Sequence, residues 1–588
     1  MEKWFFYVLF CTGLALSWFF HKDATCFSDR HELWSDRAGY YIYLPATFFY
    51  HFDTHKMPAD LDIRTGGGFS VDTVHNKIDT KYTFGVALMV SPFFFTAHLV
   101  SLVAGFDDED GFSILYMRMM ALGAVVYLVL GLWFLHRFLI YYFQPEVCLI
   151  LVALIFLGTN LFYYSLLDGM MSHVYSFFLI SLFLFALKEY LNSRSFRYFI
   201  LLSIGFAIAI LIRPTNIILG FLFFFWDAEG REDRVKRLKH FLNPSCFLSF
   251  LAILIILFLP QFIYWKYLSG SWLHFSYRDE GFTNLAHPRI LEVLFSPVNG
   301  WFSYTPLALF IMAGIVMMIF GKKKNWVLVT LVFLMITLIC SSWKMWYFGC
   351  SYGQRSFIEY YPLLAIPLGW LITIVSQRNN FFLTTLISFL ILIMVYFNLR
   401  YVTAFYRFER CYYGSSWDWD HYLRSIERAG ILSPIHQAQS FENDFENLAI
   451  SPVIKPSAIF TRSGQYGVAT NTTGKDIPLF STKLNDFGNP FPKMIEVNIW
   501  SLKPGNLPTG AALAYTLSKD DKILFSDEDK LDRVLKNPLE WTTLKKTFLI
   551  PDVSDSSLQI RLFIRNPKQK LIFFDDLKVH YYYRWNSN

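Results

Sequence analysis

Long apolar runs fill the first 400 residues of the chain and constrain its fold more than any other feature. They lie at 4–20, 82–104, 112–135, 147–166, 172–190, 198–226, 247–266, 302–320, 326–341, 357–375 and 382–398. Most of them approach the roughly 20 residues that a helix needs to cross a bilayer. Since 54% of the residues are hydrophobic and only 17% are charged, we predict a polytopic α-helical membrane protein.

Short basic segments between these runs predict how the helices are oriented. They are His136–Arg137, 188–197, 231–239, 322–324 and 377–378. Lys and Arg are concentrated in cytoplasmic loops, so all five segments should share the inner face. This requires that 82–104 does not cross the membrane and that 198–226 turns at Arg213–Pro214, which gives about eleven spans. The alternative, in which 82–104 crosses and 198–226 is one helix, places two basic loops outside.

The chain changes character after residue 400. Residues 401–439 are predicted to be a linker with an amphipathic helix, and 440–588 contain short alternating strands separated by turn residues. The strand candidates are 493–500, 511–518, 541–550, 558–565 and 571–583. This spacing predicts a separately folded all-β sandwich that follows a transmembrane domain at 1–400.

Cysteine spacing and net charge exclude several classes of protein. The seven cysteines include no C-x-x-C pair, so we predict neither a zinc site nor a disulfide framework and interpret them as buried apolar residues. The net charge of +6 mainly reflects membrane topology, and without a basic stripe it does not favour nucleic acid as a partner.

Asp36 is the first catalytic candidate, in the loop between the first two apolar runs. It is followed by Arg37, and Tyr40 and Tyr41 lie just beyond as candidates for a sugar or acceptor pocket. A carboxylate at this position could accept a proton from an incoming hydroxyl or amine and raise its nucleophilicity. The alternative is a structural role, as a helix cap or in a surface ion pair with Arg37.

Two cations are candidates for binding a phosphate. Lys81 begins an apolar run and is followed by Tyr82, whereas Arg355 lies three residues after Tyr352. At the outer interface such cations could bind a phosphate or pyrophosphate headgroup whose lipid tail lies in the bilayer. The alternative is ordinary snorkelling of long basic side chains to the interface.

Further polar residues on the predicted outer side complete a candidate pocket. They are Asp168, His173, Arg278, Asp279 and Glu359. Ionisable groups at membrane depth are functional candidates, although a loop hydrogen bond would explain Asp168 and His173 equally well. The segment around Arg278 is rich in aromatic residues and suits a sugar, but an interfacial aromatic belt has a similar composition.

The order of these motifs resembles the GT-C glycosyltransferases over roughly residues 1–400. The motifs are Asp36 in the first outer loop, K-Y-T-F-G at 81–85, R-P-T at 213–215, P-V-N-G-W-F-S-Y-T-P at 297–306 and G-Q-R at 353–355. They are most similar to the bacterial branch related to protein O-mannosyltransferases and aminoarabinose transferases. Because Arg37 follows Asp36 where protein mannosyltransferases carry Glu, the case for a protein acceptor is weaker.

The resemblance implies transfer of a sugar from a polyprenyl-phosphate carrier to a glycan, lipid or protein acceptor. It places the reaction at the periplasmic face of a bacterial inner membrane. Asp36 corresponds to the family's catalytic acid, Lys81 to its carrier-phosphate lysine and Arg355 to a basic residue of the same cavity. A divalent metal is compatible with the superfamily, but no ligand set in the sequence demands one.

The tail separately resembles carbohydrate-binding jelly rolls. The matching segments are S-F-E-N at 440–443, R-S-G-Q-Y-G at 462–467, Trp500 and F-D-D-L-K-V at 574–579. Such domains often hold structural calcium, for which Glu442 and Asp576 are the candidates, and a sandwich without a ligand is the alternative.

A transporter or flippase of lipid-linked saccharides is the alternative function for the membrane domain. It predicts inverted repeats and broken helices near the midplane. The sequence shows no internal repeat, and its polar groups cluster at one predicted face.

Overall fold

The computed structural model describes the whole chain except residues 1, 23, 25–31, 59–60, 106–110, 278–279, 379, 407–417, 432–434, 444–454, 458–460, 465–466, 470–475, 488–490, 493, 506, 521, 536–537, 551–554 and 585–588. Internal contacts divide the chain into two compact units, Met1–Tyr422 and Leu423–Asn588.

The first unit is built from helices. They are α1 (Glu2–His21), α2 (Asp36–Tyr41), α3 (Tyr43–Phe48), α4 (Leu61–Arg64), α5 (Gly85–Ala104), α6 (Ile114–Leu139), α7 (Pro145–Leu157), α8 (Leu161–Leu166), α9 (Ser172–Ser193), α10 (Phe196–Ile212), α11 (Leu219–Phe225), α12 (Arg231–Phe241), α13 (Pro244–Ser269), α14 (Ile290–Phe295), α15 (Trp301–Tyr304), α16 (Ala308–Phe320), α17 (Trp326–Ser342), α18 (Tyr361–Gln377) and α19 (Phe381–Ala404). Short 3-10 helices lie at Thr54–Lys56, Pro214–Ile218 and Arg355–Tyr360, and α20 (Trp419–Arg428) lies in the predicted linker. β1 (Ser70–Asp72) and β2 (Lys77–Asp79) form an antiparallel hairpin.

The predicted apolar runs fold as helices. Within the described residues, seven helices are long and apolar enough to cross a membrane, namely α1, α5, α6, α9, α13, Arg355–Gln377 and α19. Shorter apolar helices occupy Pro145–Leu157, Phe196–Ile212, Pro214–Phe225, Ala308–Phe320 and Trp326–Ser342. The break predicted within 198–226 is present, because Arg213 adopts an extended conformation (φ −144°) before Pro214. A multi-pass helical fold therefore follows directly from the hydropathy pattern.

Two of the five basic loops, 188–197 and 322–324, meet at Asp227 at one end of the bundle, called the basic end below. Asp227 forms an ion pair with Lys188 and exchanges two hydrogen bonds of 2.8 Å with Asn325. Glu2, at the start of α1, lies 3.2 Å from the His136 imidazole near the end of α6. These contacts bring together loops that the sequence analysis predicted to share one face.

α5 contacts both α10 and α6. Just before α5, the Thr83 hydroxyl donates to the carbonyl of Ile212, the last residue of α10 (3.2 Å). Toward its other end, His98 Nδ1 lies 3.1 Å from the Tyr116 hydroxyl, in the first turn of α6. Between these contacts α5 packs along α6, where the Tyr127 hydroxyl donates to the Met89 carbonyl (2.7 Å). Because α5 is long and apolar enough to cross a membrane, the absence of a crossing at 82–104 stays a prediction.

The second unit contains two antiparallel sheets. Its strands are β3 (Ile435–Asn443), β4 (Lys455–Ser457), β5 (Gly467–Ala469), β6 (Asp476–Lys483), β7 (Met494–Leu502), β8 (Ala512–Lys519), β9 (Lys522–Lys530), β10 (Thr542–Leu549), β11 (Gln559–Arg565) and β12 (Phe573–Arg584). One sheet has the order β10-β7-β12-β5-β4 with β3 also paired to β12, and the other has the order β6-β11-β8-β9. Alternate residues of β7, such as Val497, share a core with Leu513 of β8 and Phe548 of β10. The five strands predicted from the sequence are all present.

The cysteines depart from the sequence-based interpretation. Cys148, Cys246 and Cys340 are free and buried as predicted, but free Cys11 is exposed. Cys350 is exposed and disulfide-bonded, so the interpretation of all seven as buried apolar residues is wrong at Cys11 and Cys350. Cys26 and Cys411 lie outside the described residues. Spacing alone did not reveal the disulfide, because a disulfide depends on proximity in the fold.

Candidate active site

Two glycines allow the loop that carries Asp36 to pack tightly. A Cβ atom on Gly39 would lie 2.2 Å from the carbonyl oxygen of Gly68 and 2.6 Å from the Tyr82 ring. A Cβ atom on Gly68 would lie 1.7 Å from the carbonyl oxygen of Ser35. Only glycine fits these contacts, which fix α2 against the segment 66–68 and against Tyr82. Asp36 is the first residue of α2, so the same packing sets the position of its carboxylate.

The Asp36 carboxylate lies between three side chains from distant parts of the chain. Arg355 Nη2 is 3.4 Å from Asp36 Oδ2. Burial alone would raise the pKa of Asp36, but the charge of Arg355, a hydrogen bond from Tyr82 and the charge of Lys81 together hold this pKa below its ordinary value. The carboxylate is therefore ionised at neutral pH, the state that a proton acceptor needs.

Lys81 lies near Asp36 and is held by an acidic partner that sequence analysis missed. Its ammonium group is 2.8 Å from the Glu280 carboxylate. The same ammonium faces the rings of Tyr82 (5.6 Å) and Tyr277 (5.9 Å), and the Ser276 hydroxyl donates to the Lys81 carbonyl (2.7 Å). Lys81 is therefore contacted by both Ser276 and Glu280, and the charged motif around Glu280 in the sequence was the available signal for it.

Arg37 forms a buried ion pair away from Asp36. Its guanidinium is 2.7 Å from the Asp168 carboxylate, so the predicted alternative of an Asp36–Arg37 ion pair is replaced by two separate pairs. Burial raises the pKa of Asp168 to about 6, against the opposing charge of Arg37. The pair connects the first loop to the turn between α8 and α9.

Glu32 reinforces this connection and was also missed by sequence analysis. It is fully buried, lies 2.7 Å from the His21 imidazole, and accepts hydrogen bonds from the backbone N–H groups of Gly169 (3.3 Å) and Met170 (3.1 Å). Although burial opposes ionisation, the contacts with His21 lower the pKa of Glu32 to about 2. The end of α1, the Asp36 loop and the turn at 168–170 are thus tied together.

A second buried cluster lies on the turn that carries Arg355. Glu359 Oε1 is 3.2 Å from His173 Nδ1 and also pairs with Arg213. Arg213 additionally reaches the Ser356 hydroxyl at 3.4 Å. Arg355 and Glu359 belong to one short 3-10 helix. The same backbone segment therefore positions both the partner of Asp36 and the carboxylate of this cluster. Arg213 was missed as a site residue, although the R-P-T break in an apolar run marked it.

The predicted tyrosines fall into two groups. Tyr40 lies at the site, with its ring 4.1 Å from that of Tyr82 and its hydroxyl 3.3 Å from Ser172 Oγ. Tyr41 instead donates to the carbonyl of Gly111 (2.6 Å), and Tyr352 stacks on Tyr163 (5.3 Å). The contacts of Tyr41 and Tyr352 are those of packing residues. Arg278 and Asp279 lie outside the described residues.

The carboxylates proposed for metal binding have other partners. Glu442 is 3.1 Å from the Lys578 ammonium, and Asp576 pairs with Arg462 and accepts from the Ser463 hydroxyl (2.7 Å). Within the described part of the chain, no group of three or more His, Cys, Asp and Glu residues has the arrangement of a metal site. Structural calcium at Glu442 and Asp576 stays a prediction.

Comparisons with known proteins give distant structural likenesses. No protein-family model matches the chain, and no curated protein matches it either. The arabinosyltransferase EmbB from Mycobacterium smegmatis is similar over 99% of this chain and 65% of its own, with 10% identity and a TM-score of 0.33. The CBM22-1 xylan-binding domain of Paenibacillus barcinonensis Xyn10C is similar over 22% of this chain and 80% of its own, with 15% identity and a TM-score of 0.15. An arabinose-bound GH51 α-L-arabinofuranosidase is similar over 26% of this chain and 24% of its own, with 10% identity and a TM-score of 0.16.

Proposed function

We propose that the chain is an integral-membrane glycosyltransferase that moves a sugar from a polyprenyl-phosphate carrier to an acceptor. The observation that carries the proposal is the approach of Arg355 to within 3.4 Å of Asp36, with Lys81 close enough to lower the pKa of the same carboxylate. The Asp36 carboxylate and two cations, one of them paired with Glu280, thus lie in one site at the end of an apolar bundle, which suits a charged headgroup with a lipid tail.

The proposed reaction is a single displacement at the anomeric carbon. Asp36 accepts the proton of the acceptor hydroxyl or amine while the acceptor atom bonds to the anomeric carbon. The bond from that carbon to the phosphate oxygen breaks, and its electron pair leaves with the polyprenyl phosphate. Lys81 and Arg355 stabilise the negative charge that develops on this leaving group. Because the displacement is single, the configuration of the sugar is inverted.

The orientation of the site is part of the proposal. The site lies away from the basic end, where Lys188, Asp227 and Asn325 meet, and the positive-inside rule makes the basic end cytoplasmic. Disulfides persist mainly in oxidising compartments, so the disulfide at Cys350, five residues before Arg355, also favours the extracytoplasmic side. We therefore place the reaction at the outer face of a bacterial inner membrane.

Transfer of labelled sugar by the purified full-length protein tests the proposal. A panel of polyprenyl-phosphate sugars is supplied with and without candidate acceptors, and Asp36→Asn serves as the inactive comparison. We expect transfer from at least one donor and its loss in the variant. Turnover that survives Asp36→Asn would remove Asp36 as the base, whereas donor movement across liposomes without transfer would favour a flippase.

A further inference from the structure

Lys81 differs from Arg37 and Arg213 in how its charge is neutralised. The Arg37 and Asp168 side chains are only 11% and 14% exposed, and Glu359, the partner of Arg213, is 1% exposed. The Lys81 and Glu280 side chains are 36% and 22% exposed. Breaking a buried pair leaves an uncompensated charge and is costly, whereas a partly exposed pair is weak. Among these described pairs, the Lys81–Glu280 pair can therefore open at the lowest cost.

A phosphate that binds Lys81 must compete with Glu280. The carboxylate already lies 2.8 Å from the ammonium, at the distance that a phosphate oxygen would take. If both anions stayed on one ammonium, they would repel each other at close range, so entry of the phosphate favours withdrawal of Glu280. The backbone around Lys81 need not move, because Ser276 holds its carbonyl separately.

We propose that Glu280 competes with the carrier phosphate for Lys81 and promotes release of the product. This inference rests on the proposed function, in which Lys81 binds that phosphate. The donor is a phosphodiester with one negative charge, and the product is a phosphate monoester with close to two at pH 7. Lys81 therefore attracts the product more strongly than the donor, and the competing carboxylate weakens its hold on the product. Return of the Glu280 carboxylate to Lys81 displaces the product and restores the site.

The test measures binding of a long-chain polyprenyl phosphate without sugar to the full-length protein in nanodiscs. The variants are Glu280→Gln, which keeps size and removes charge, and Lys81→Ala. Glu292→Gln is the matched control, because Glu292 pairs with Arg289 at a similar distance (3.1 Å) on an exposed surface. We expect Glu280→Gln to bind about three- to tenfold more tightly and to show stronger product inhibition. The control should bind as the wild type does.

The outcomes separate the inference from the proposed function. If Lys81→Ala abolishes binding while Glu280→Gln binds no more tightly than wild type, competition by Glu280 is wrong and the phosphate role of Lys81 stands. If wild type does not bind the probe, or Lys81→Ala binds as well as wild type, the phosphate role of Lys81 fails and the inference falls with it. Thermal unfolding of each variant verifies that it is folded.

Discussion

The Arg355 guanidinium lies 3.4 Å from the Asp36 carboxylate, although 319 residues separate the two in the sequence. The adjacent Arg37 takes a different partner, Asp168, at 2.7 Å. Asp36 and Arg37 are adjacent and opposite in charge, but each pairs with a different partner. Arg37 ties the loop to the bundle, and Asp36 faces the cations of the candidate site.

Replacing Asp36 by Asn should abolish most transfer without unfolding the protein. The amide keeps the shape of the side chain but cannot accept the acceptor's proton, so we expect kcat to fall by about 10²- to 10⁴-fold. Single-turnover transfer of labelled sugar measures the effect. Asp72→Asn is the control, since Asp72 lies in the same loop on the surface and pairs with His75, and it should transfer sugar normally.

Replacing Arg355 by Gln should move the acidic limb of the pH–rate profile to higher pH. Arg355 is the strongest of the groups that hold the pKa of Asp36 below its ordinary value. The same depressed pKa affects the free energy of unfolding. Ionised Asp36 stabilises the fold above its unfolded pKa of about 3.9, and this contribution is lost as pH falls through the folded pKa. The pH dependence of kcat/KM measures the shift. The surface control Arg289→Gln should leave the acidic limb of the profile unchanged. An unchanged limb in Arg355→Gln as well would contradict the assignment of that limb to Asp36.

Asp168 should make stability depend on pH in the opposite sense. Burial raises its folded pKa from 3.8 to about 6, so the folded state binds this proton more tightly than the unfolded state. The resulting stability is fully present below pH 3.8 and is lost as pH rises through about 6. When thermal unfolding is measured between pH 3.8 and about pH 6, stability should fall with rising pH in wild type but not in Asp168→Asn.

The same variant tests the Arg37–Asp168 pair at neutral pH. The two side chains are 2.7 Å apart, so we expect an interaction energy of about 1–3 kcal/mol between them in a double-mutant cycle. The double variant Arg37→Gln/Asp168→Asn should lose less than the sum of the two single variants. Additive losses would mean that the two side chains are not coupled.

Replacing Gly39 by Ala should displace α2 and reduce activity. The added methyl would lie 2.2 Å from the Gly68 carbonyl and 2.6 Å from the Tyr82 ring, distances that force backbone to move. We expect a loss of about 1–3 kcal/mol in stability together with reduced transfer. Gly230→Ala is the control, because a Cβ atom there meets nothing within 4 Å. Normal transfer by a fully stable Gly39→Ala would show that the close approach is not needed.

Labelling of Cys350 tests the orientation. After reduction, a membrane-impermeant maleimide added outside intact cells should modify this exposed cysteine. A cysteine introduced at exposed Lys236, in the basic helix α12, should react only after the membrane is opened. The reverse pattern would place the candidate site in the cytoplasm.

The apolar runs and the strand alternation were predictable from the sequence because they are local. A helix in a membrane must be apolar over its length, and a strand in a sandwich must alternate, so each segment carries its own signal. The helix break at Arg213–Pro214 and the strand Met494–Leu502 were predictable for the same reason. Asp36, Lys81 and Arg355 were candidates on residue type and position, supported by a family resemblance.

The partners of those residues were decided only by the tertiary structure. Sequence offered Arg37 as the neighbour of Asp36, but packing of the bundle supplied Arg355 instead and gave Arg37 to Asp168. Glu280 becomes the partner of Lys81 only in the folded chain, where their side chains are 2.8 Å apart. Hydropathy and alternation are properties of one segment, whereas an ion pair depends on the distance between two segments, which only the folded chain defines.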